Sequence, residues 1–295
     1  MYVVACGFWD DKVGMVGNPC LAGQRCDAWD EHYYRSTSQL LRMASLYDSY
    51  NRSLPKVYVG EYAAKDTFDH EYGHLQRGLK RRPRLTHGRR LKLSHRRLSL
   101  RAAVAEATFL IGLERNADVV VASSFAPTLN NVRGTRWSYN LLNFNASHLF
   151  ALPSYSVLLM FRPSMGQHGS PAHTLVATAS GGRSWVASAS AQPESRTVTI
   201  KLASHAAVEQ RVAVRLAGWP VLQLATASVL SAASPSAENS LERPTAVAPR
   251  PLRIEPPNGT IVAQELTVSL PAWSVVVVTL CHGHRGGVER RLPHG

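Results

Sequence analysis

The sequence lacks the paired cysteines of a zinc ribbon. Its four cysteines are Cys6, Cys20, Cys26 and Cys281, and no two of them have the C-x-x-C spacing. Cys20 and Cys26 could close a small loop, and four free thiols fit the sequence equally well. Long apolar runs are also missing: WSVVVVTL has the length of a strand, whereas a membrane span needs about 20 apolar residues. The amino end does not have the basic start, apolar region and cleavage site of a signal peptide. We therefore expect no membrane partner.

Acidic residues are absent from one segment, residues 77–97, which contains 10 of the 33 Lys and Arg. Outside it, 23 basic residues stand against 20 acidic ones, so this segment accounts for most of the net charge of +13. A strongly basic protein raises the question of nucleic acid. The segment has no aromatic residue on which a base could stack. We therefore predict a solvated insertion, at about residues 66–98, and no nucleic-acid partner.

The chain changes its pattern near residue 160. Before that point apolar strand-like runs alternate with helix-like segments, which predicts parallel β/α units. The predicted strands are 1–7, 26–34, 56–63 and 118–127, and the predicted helices are 36–50 and 100–116. After it, short β-rich runs are separated by Gly, Ser and Pro, which is typical of an antiparallel sandwich. The predicted fold class is α/β plus all-β, with a first domain at 1–160, a β-sandwich at 161–285 and a tail at 286–295.

In the run KVYVGEYAA, residues 56–64, the first apolar stretch stops at a carboxylate, Glu61. Val57 and Val59 point to one side of this predicted strand, and Tyr58 and Gly60 to the other. A charge at a strand end is solvated, paired in a salt bridge or aimed into a site. The residues of this run alone leave all three possibilities open for Glu61.

Six blocks of the sequence resemble, in order, the α-L-arabinofuranosidases of glycoside hydrolase family 51. They are WDEHYYRS, YDSYNRSLPKVYVGEYAA, LRAAVAEATFLIGLERNADVVVASSFAPTLNNV, RWSYNLLNFNASHLFALPSYSVLLMF, SAENSLERPTAVAP and LPAWSVVVVTL. The resemblance covers most of residues 26 to 280. It implies a partial (β/α)8 TIM barrel, about strands five to eight, followed by an antiparallel β-sandwich. It also implies a retaining enzyme that removes terminal non-reducing α-L-arabinofuranosyl residues from polysaccharides or oligosaccharides such as arabinoxylan and arabinan.

The resemblance also implies the site residues. Glu61 matches the catalytic nucleophile at the carboxyl end of barrel strand seven. His32 and Tyr34 match residues at the end of strand six that lie beside the nucleophile and the sugar. Trp137, after strand eight, would line the sugar pocket. No cofactor or metal is implied, and the family suggests an extracellular or secreted protein, although the chain shows no signal peptide.

Two departures from the family pattern bear on activity. A retaining glycosidase needs two carboxyl groups about 5 Å apart, and the Asn-Glu pair that carries the family's acid/base is missing. Barrel strands one to four are missing as well, so we interpret the chain as a truncated homologue or an incomplete gene model, with little turnover of its own. The alternative is a non-catalytic remnant that binds carbohydrate or nothing.

A third possible function is suggested by HEYGH, residues 70–74, which matches the H-E-x-x-H pattern of zinc proteases. On a helix, His70 and His74 would bind zinc and Glu71 would act as the base. Gly73 within the motif weakens such a helix, so the metalloprotease is the least favoured alternative and we predict no metal site.

Overall fold

The computed structural model describes ten segments of the chain. They are residues 3–5, 26–65, 99–133, 140–162, 173–175, 184–192, 196–218, 222–254, 261–262 and 265–282. The predicted basic insertion at 66–98, including HEYGH, lies outside these segments. Within them, no helix has the length and apolar character needed to cross a membrane. Cys26 is disulfide-bonded, with a partner outside the described residues, and Cys281 is free. The alternative with four free thiols is therefore wrong.

A four-stranded parallel sheet occupies the amino-terminal part. Its strands follow chain order: β1 (Val4–Ala5), β2 (Ala28–Arg35), β3 (Lys56–Ala64) and β4 (Val120–Phe125). Helix α1 (Thr37–Arg42) follows β2, and helix α2 (Leu100–Arg115) precedes β4. This alternation agrees with the predicted β/α units, because parallel neighbours need a crossover between them.

Helix α1 is shorter than the predicted helix at 36–50. It begins at a capping box in which the Ser36 hydroxyl accepts from the Gln39 amide and the Gln39 side chain accepts from the Ser36 amide. After a 3-10 turn at Met43–Ser45 the chain leaves the helical path. The carbonyl of Ala44, which a continuing α-helix would use, accepts instead from Arg115 Nη2 of helix α2 at 2.8 Å. The amides of residues 46, 48 and 50 donate to carbonyls three residues back, so residues 46–49 form turns, and Arg52 Nη1 donates to the carbonyls of residues 47, 48 and 50 at 2.8–3.1 Å.

Helix α2 is buried along most of its length and packs on both of its sides. On one side Phe109 makes edge contacts with Tyr33 of β2 and Tyr62 of β3. The first turn of the helix is bonded from far along the chain: the amides of Leu100 and Arg101 donate to the carbonyls of residues 237 and 235 at 2.8 Å each. A helix otherwise leaves its first amides without intrahelical partners, so this distant loop completes the helix.

Between the two parts lie elements that the sequence patterns did not predict. Strands β5 (Leu129–Asn131), β6 (Leu142–Phe144) and β7 (Leu149–Ala151) form a small sheet of their own. Helix α3 (Pro153–Phe161) follows, with proline at its first position, where the missing N–H costs nothing.

The carboxyl-terminal part is an antiparallel β-sandwich, as predicted. Its larger sheet has the order β13-β12-β16-β10-β9-β8, with β14 also paired to β12, and faces the two-stranded sheet of β11 and β15. The strands are β8 (His173–Leu175), β9 (Trp185–Gln192), β10 (Thr197–Ser204), β11 (Gln210–Arg215), β12 (Leu222–Leu230), β13 (Arg250–Pro251), β14 (Ile261–Val262), β15 (Glu265–Leu270) and β16 (Ser274–His282). The apolar strand β16 is central, between β10 and β12, which explains its continuous run of valines.

The larger sheet of the sandwich also packs against helices α2 and α3. One buried cluster joins residues of the two helices to Ala203, Leu230, Val275 and Val277 of the sheet. Lys201 of β10 is buried within this interface and forms an ion pair with Glu114 of α2. The predicted domain division at 160/161 stays a prediction, and a continuous core crosses it.

Candidate active site

The two faces of strand β2 carry different chemistry. Glu31 and Tyr33 are buried, and Tyr33 packs against helix α2. The alternate residues Asp30, His32 and Tyr34 lie on the opposite face and are partly exposed. Since successive side chains of a strand point to opposite faces, β2 presents a row of three polar groups away from the helices.

A β-bulge in strand β3 brings Glu61 to the same face. Opposite Glu31 the partner is Val59, but opposite His32 it is Glu61, so Gly60 is an extra residue in β3. Strict alternation would have put Glu61 on the helix side with Val57 and Val59. The bulge instead turns its side chain toward His32, which is the re-aiming that bulges beside active sites provide.

The carboxylate of Glu61 is held mainly by Tyr34. The Tyr34 hydroxyl donates to Glu61 Oε2 at 2.5 Å. His32 Nδ1 lies 3.5 Å from the same oxygen, yet it lacks hydrogen-bonding geometry and has no hydrogen-bond partner among the described residues. Of these two contacts, only the one from Tyr34 is a hydrogen bond. The Glu61 side chain is 37% exposed, so a ligand can reach it.

Asp30 ties the bulge to His32. Its Oδ1 accepts from the Gly60 amide at 3.0 Å, and its Oδ2 contacts His32 Nε2 at 3.1 Å. An ionised carboxylate only accepts hydrogen bonds, so a hydrogen bond at this contact requires the proton on Nε2. The sequence analysis missed Asp30 and Gly60 as site residues. One available signal was the spacing of Asp30, two residues before His32 and thus on the same face.

A second carboxylate lies behind the site, on the helix side of β2. Glu31 is buried, and its Oε2 accepts from the hydroxyls of Tyr33 and Tyr47 at 2.5 Å each. Burial raises the pKa of Glu31 above its ordinary value, against the opposing effect of the two tyrosine hydrogen bonds. Burial also raises the pKa of both tyrosines. This cluster fixes β2 and the segment after α1, and its position excludes direct contact with a ligand at Glu61.

The structure therefore brings together three of the four predicted site residues: Glu61, His32 and Tyr34. Trp137 lies outside the described residues, as do His70 and His74. Among the residues that the structure describes, no group of three or more His, Cys, Asp and Glu side chains is arranged to hold a metal ion.

Comparison with known proteins identifies the relatives of this chain. Residues 60–274 match the family model described as the α-L-arabinofuranosidase C-terminal domain. The chain belongs to the α-L-arabinofuranosidase family. Among curated family members it is 31% identical to probable α-L-arabinofuranosidase A of Aspergillus terreus over 255 residues, which is 85% of this chain and 34% of that protein. It is 32% identical to α-L-arabinofuranosidase 1 of Arabidopsis thaliana, over 84% of this chain and 32% of that protein. The chain thus spans about a third of the length of these curated arabinofuranosidases.

Solved structures of family members show the same fold. An arabinose-bound α-L-arabinofuranosidase of family 51 superposes with a TM-score of 0.74 at 24% identity, covering 95% of this chain and 40% of that chain. The α-L-arabinofuranosidase of Thermotoga maritima, solved as an arabinose complex, gives a TM-score of 0.65 at 14% identity, with 95% and 57% covered. At these identities the superpositions show the fold of the arabinofuranosidase family and nothing finer.

Proposed function

We propose that this chain carries the nucleophile and the β-sandwich of a retaining α-L-arabinofuranosidase. The observation that supports it is the placement of Glu61 in the carboxyl-terminal half of parallel strand β3, re-aimed by a bulge and bonded to the Tyr34 hydroxyl. In β/α barrels, residues at this end of the strands act on the substrate. The proposed substrates are terminal non-reducing α-L-arabinofuranosyl residues of arabinoxylan, arabinan and related oligosaccharides.

In the proposed reaction Glu61 attacks the anomeric carbon of the arabinofuranosyl residue. Both contacts found for its carboxylate among the described residues go to Oε2, which leaves Oε1 as the attacking oxygen. The bond from the anomeric carbon to the leaving oxygen breaks with its electron pair, and a glycosyl ester forms on Glu61. Water then hydrolyses this ester, and the configuration is retained.

The leaving oxygen needs a proton, and the described carboxylates near Glu61 do not fit that role. Both oxygens of Asp30 accept hydrogen bonds, and Glu31 faces the helix side. We propose that the acid lies outside the described residues. Substrates with good leaving groups depend less on an acid, so they should react with Glu61 even where natural glycosides do not.

The finer architecture and location belong to the same proposal. The four parallel strands with their helices correspond to strands five to eight of a (β/α)8 barrel. Trp137 would line the sugar pocket. An extracellular location follows from the substrate, since plant cell-wall polysaccharides lie outside the cell.

Covalent labelling tests the proposal. The chain is incubated with a 2,4-dinitrophenyl α-L-arabinofuranoside, whose phenolate leaves without a proton, and the intact mass and the modified peptide are measured. We expect one adduct, located at Glu61 and absent in Glu61→Gln. The matched control is Glu265→Gln, which removes an exposed carboxylate of the sandwich and should label like the wild type. Binding of arabinose without any adduct would refute the retaining mechanism and support the non-catalytic carbohydrate-binding alternative.

A further inference from the structure

We infer that Asp30 is a positioning residue that holds the bulge beneath Glu61 and sets which nitrogen of His32 carries a proton. This inference deepens the proposed function and rests on it for its catalytic meaning. The two roles use different oxygens of one carboxylate, and each role has its own contact.

The first role is to fix the bulge. An extra residue in a strand falls outside the regular ladder of hydrogen bonds. Asp30 Oδ1 supplies the acceptor for the amide of this residue, Gly60, at 3.0 Å. The side chain of one strand thus holds the irregular backbone of the next, immediately before the residue whose direction the bulge sets.

The glycine at position 60 is explained by the same contact. A Cβ at this position would lie 2.1 Å from Asp30 Oδ1 and 2.9 Å from Asp30 Cγ. The backbone of Gly60 is not in the left-handed region, so its conformation alone does not demand glycine. The absent side chain makes room for the carboxylate of Asp30.

The second role is to set the protonation of His32. Asp30 Oδ2 lies 3.1 Å from Nε2, and a carboxylate can only accept there, so we infer that the neutral ring faces Glu61 Oε2 with the unprotonated Nδ1, 3.5 Å away. The neutral ring therefore does not donate to the attacking carboxylate, and Tyr34 alone of these two neighbours does. Asp30 thereby prevents His32 from donating a second hydrogen bond to the carboxylate of Glu61, which would make that carboxylate a weaker nucleophile.

Asparagine at position 30 separates the two roles. Its amide oxygen can still accept from the Gly60 amide, but its NH₂ group then faces His32 Nε2 and can only donate. The ring must move its proton to Nδ1, where it points at Glu61. We expect Asp30→Asn to preserve the bulge, reverse the tautomer and slow labelling of Glu61 about tenfold, the effect of one added hydrogen bond to a charged group.

The experiment measures the ring directly. Full-length protein labelled with ¹⁵N-histidine is studied by long-range ¹H–¹⁵N NMR at mildly alkaline pH, and His32→Gln assigns the signal. The wild type should show a proton on Nε2, and Asp30→Asn should show it on Nδ1. The control Asp118→Asn, which removes an exposed carboxylate paired with Arg52, should leave the ring unchanged.

Retention of the Nε2 proton in Asp30→Asn would overturn the inference. This readout does not depend on turnover, so it judges Asp30 even when the wild type is not labelled, a result that would refute only the proposed function. If the tautomer reverses and labelling is nevertheless as fast as in the wild type, the catalytic part of the inference is wrong.

Discussion

Replacing Gly60 by alanine should destabilise the protein when residue 30 is aspartate and should not destabilise it when residue 30 is alanine. In the wild type the new Cβ would lie 2.1 Å from Asp30 Oδ1, so the carboxylate must rotate away and lose both of its hydrogen bonds. Each bond to a charged acceptor contributes about 1.5–3 kcal/mol when it is not replaced. The Asp30 side chain is 17% exposed, so water replaces part of this, and we expect a loss of about 2–4 kcal/mol in the free energy of unfolding.

In the Asp30→Ala background, the Cβ of an alanine at position 60 no longer clashes with a carboxylate. The Gly60 backbone is not left-handed, so alanine fits without strain. It also restricts the unfolded chain, which stabilises proteins by about 0.4–1 kcal/mol at compatible sites. Gly60→Ala should therefore be neutral or stabilising in this background.

Urea unfolding of the wild type, the two single variants and the double variant measures this coupling. The matched control is Gly112→Ala in helix α2, whose Cβ would lie 2.2 Å from the backbone oxygen of Ala44. That clash is with the main chain, so it should destabilise equally in both backgrounds. An equal loss for Gly60→Ala with and without Asp30 would refute the explanation of the glycine.

Three further predictions concern other contacts. Lys201→Met removes the buried ammonium that pairs with Glu114 and should cost about 2–3 kcal/mol of unfolding free energy, with much of it recovered when Glu114→Gln is added. Burial raises the pKa of Glu31 above the 4.5 of the unfolded chain. The stability contributed by its proton is therefore fully present below about pH 4.5 and is lost as pH rises through the raised pKa, so urea titrations should show the advantage of the wild type over Glu31→Gln shrinking with pH. Tyr34→Phe removes the hydroxyl bonded to Glu61 and should speed labelling at least about fivefold, because a hydrogen bond to the attacking carboxylate slows it.

Each of these predictions has an outcome that would contradict it, and the first has a control variant. Arg215→Met breaks an exposed ion pair with Glu265 and should cost less than about 1 kcal/mol. A Lys201→Met variant no less stable than this control would contradict the role of the buried pair. A wild-type advantage over Glu31→Gln that stays constant with pH would contradict the raised pKa. Tyr34→Phe that labels like the wild type would show that Glu61 does not depend on the tyrosine.

The sequence predicted those elements and site residues that depend on a local pattern of residues. Strand β3 and helix α2 follow from short apolar runs, and Glu61 at the strand end was found through the resemblance of its block. The bulge that aims Glu61 was not predictable, because Gly60 is an extra residue only relative to β2 and is held by Asp30, which lies in that other strand. The turns after α1 are also held from another element, since Arg115 of α2 donates to the carbonyl of Ala44. Local periodicity predicts elements, whereas their irregularities depend on contacts between elements.

The bonding of the first turn of helix α2 has a consequence for synthesis on the ribosome. The amides of Leu100 and Arg101 donate to the carbonyls of Ala237 and Pro235. A ribosome that adds about 5–20 residues per second synthesises these acceptors on the order of ten seconds after the donors. Until then these amides can donate only to water, and the side of the helix that packs on the sandwich is exposed. The first turn of α2 therefore gains its final hydrogen bonds only after residue 237 has been translated.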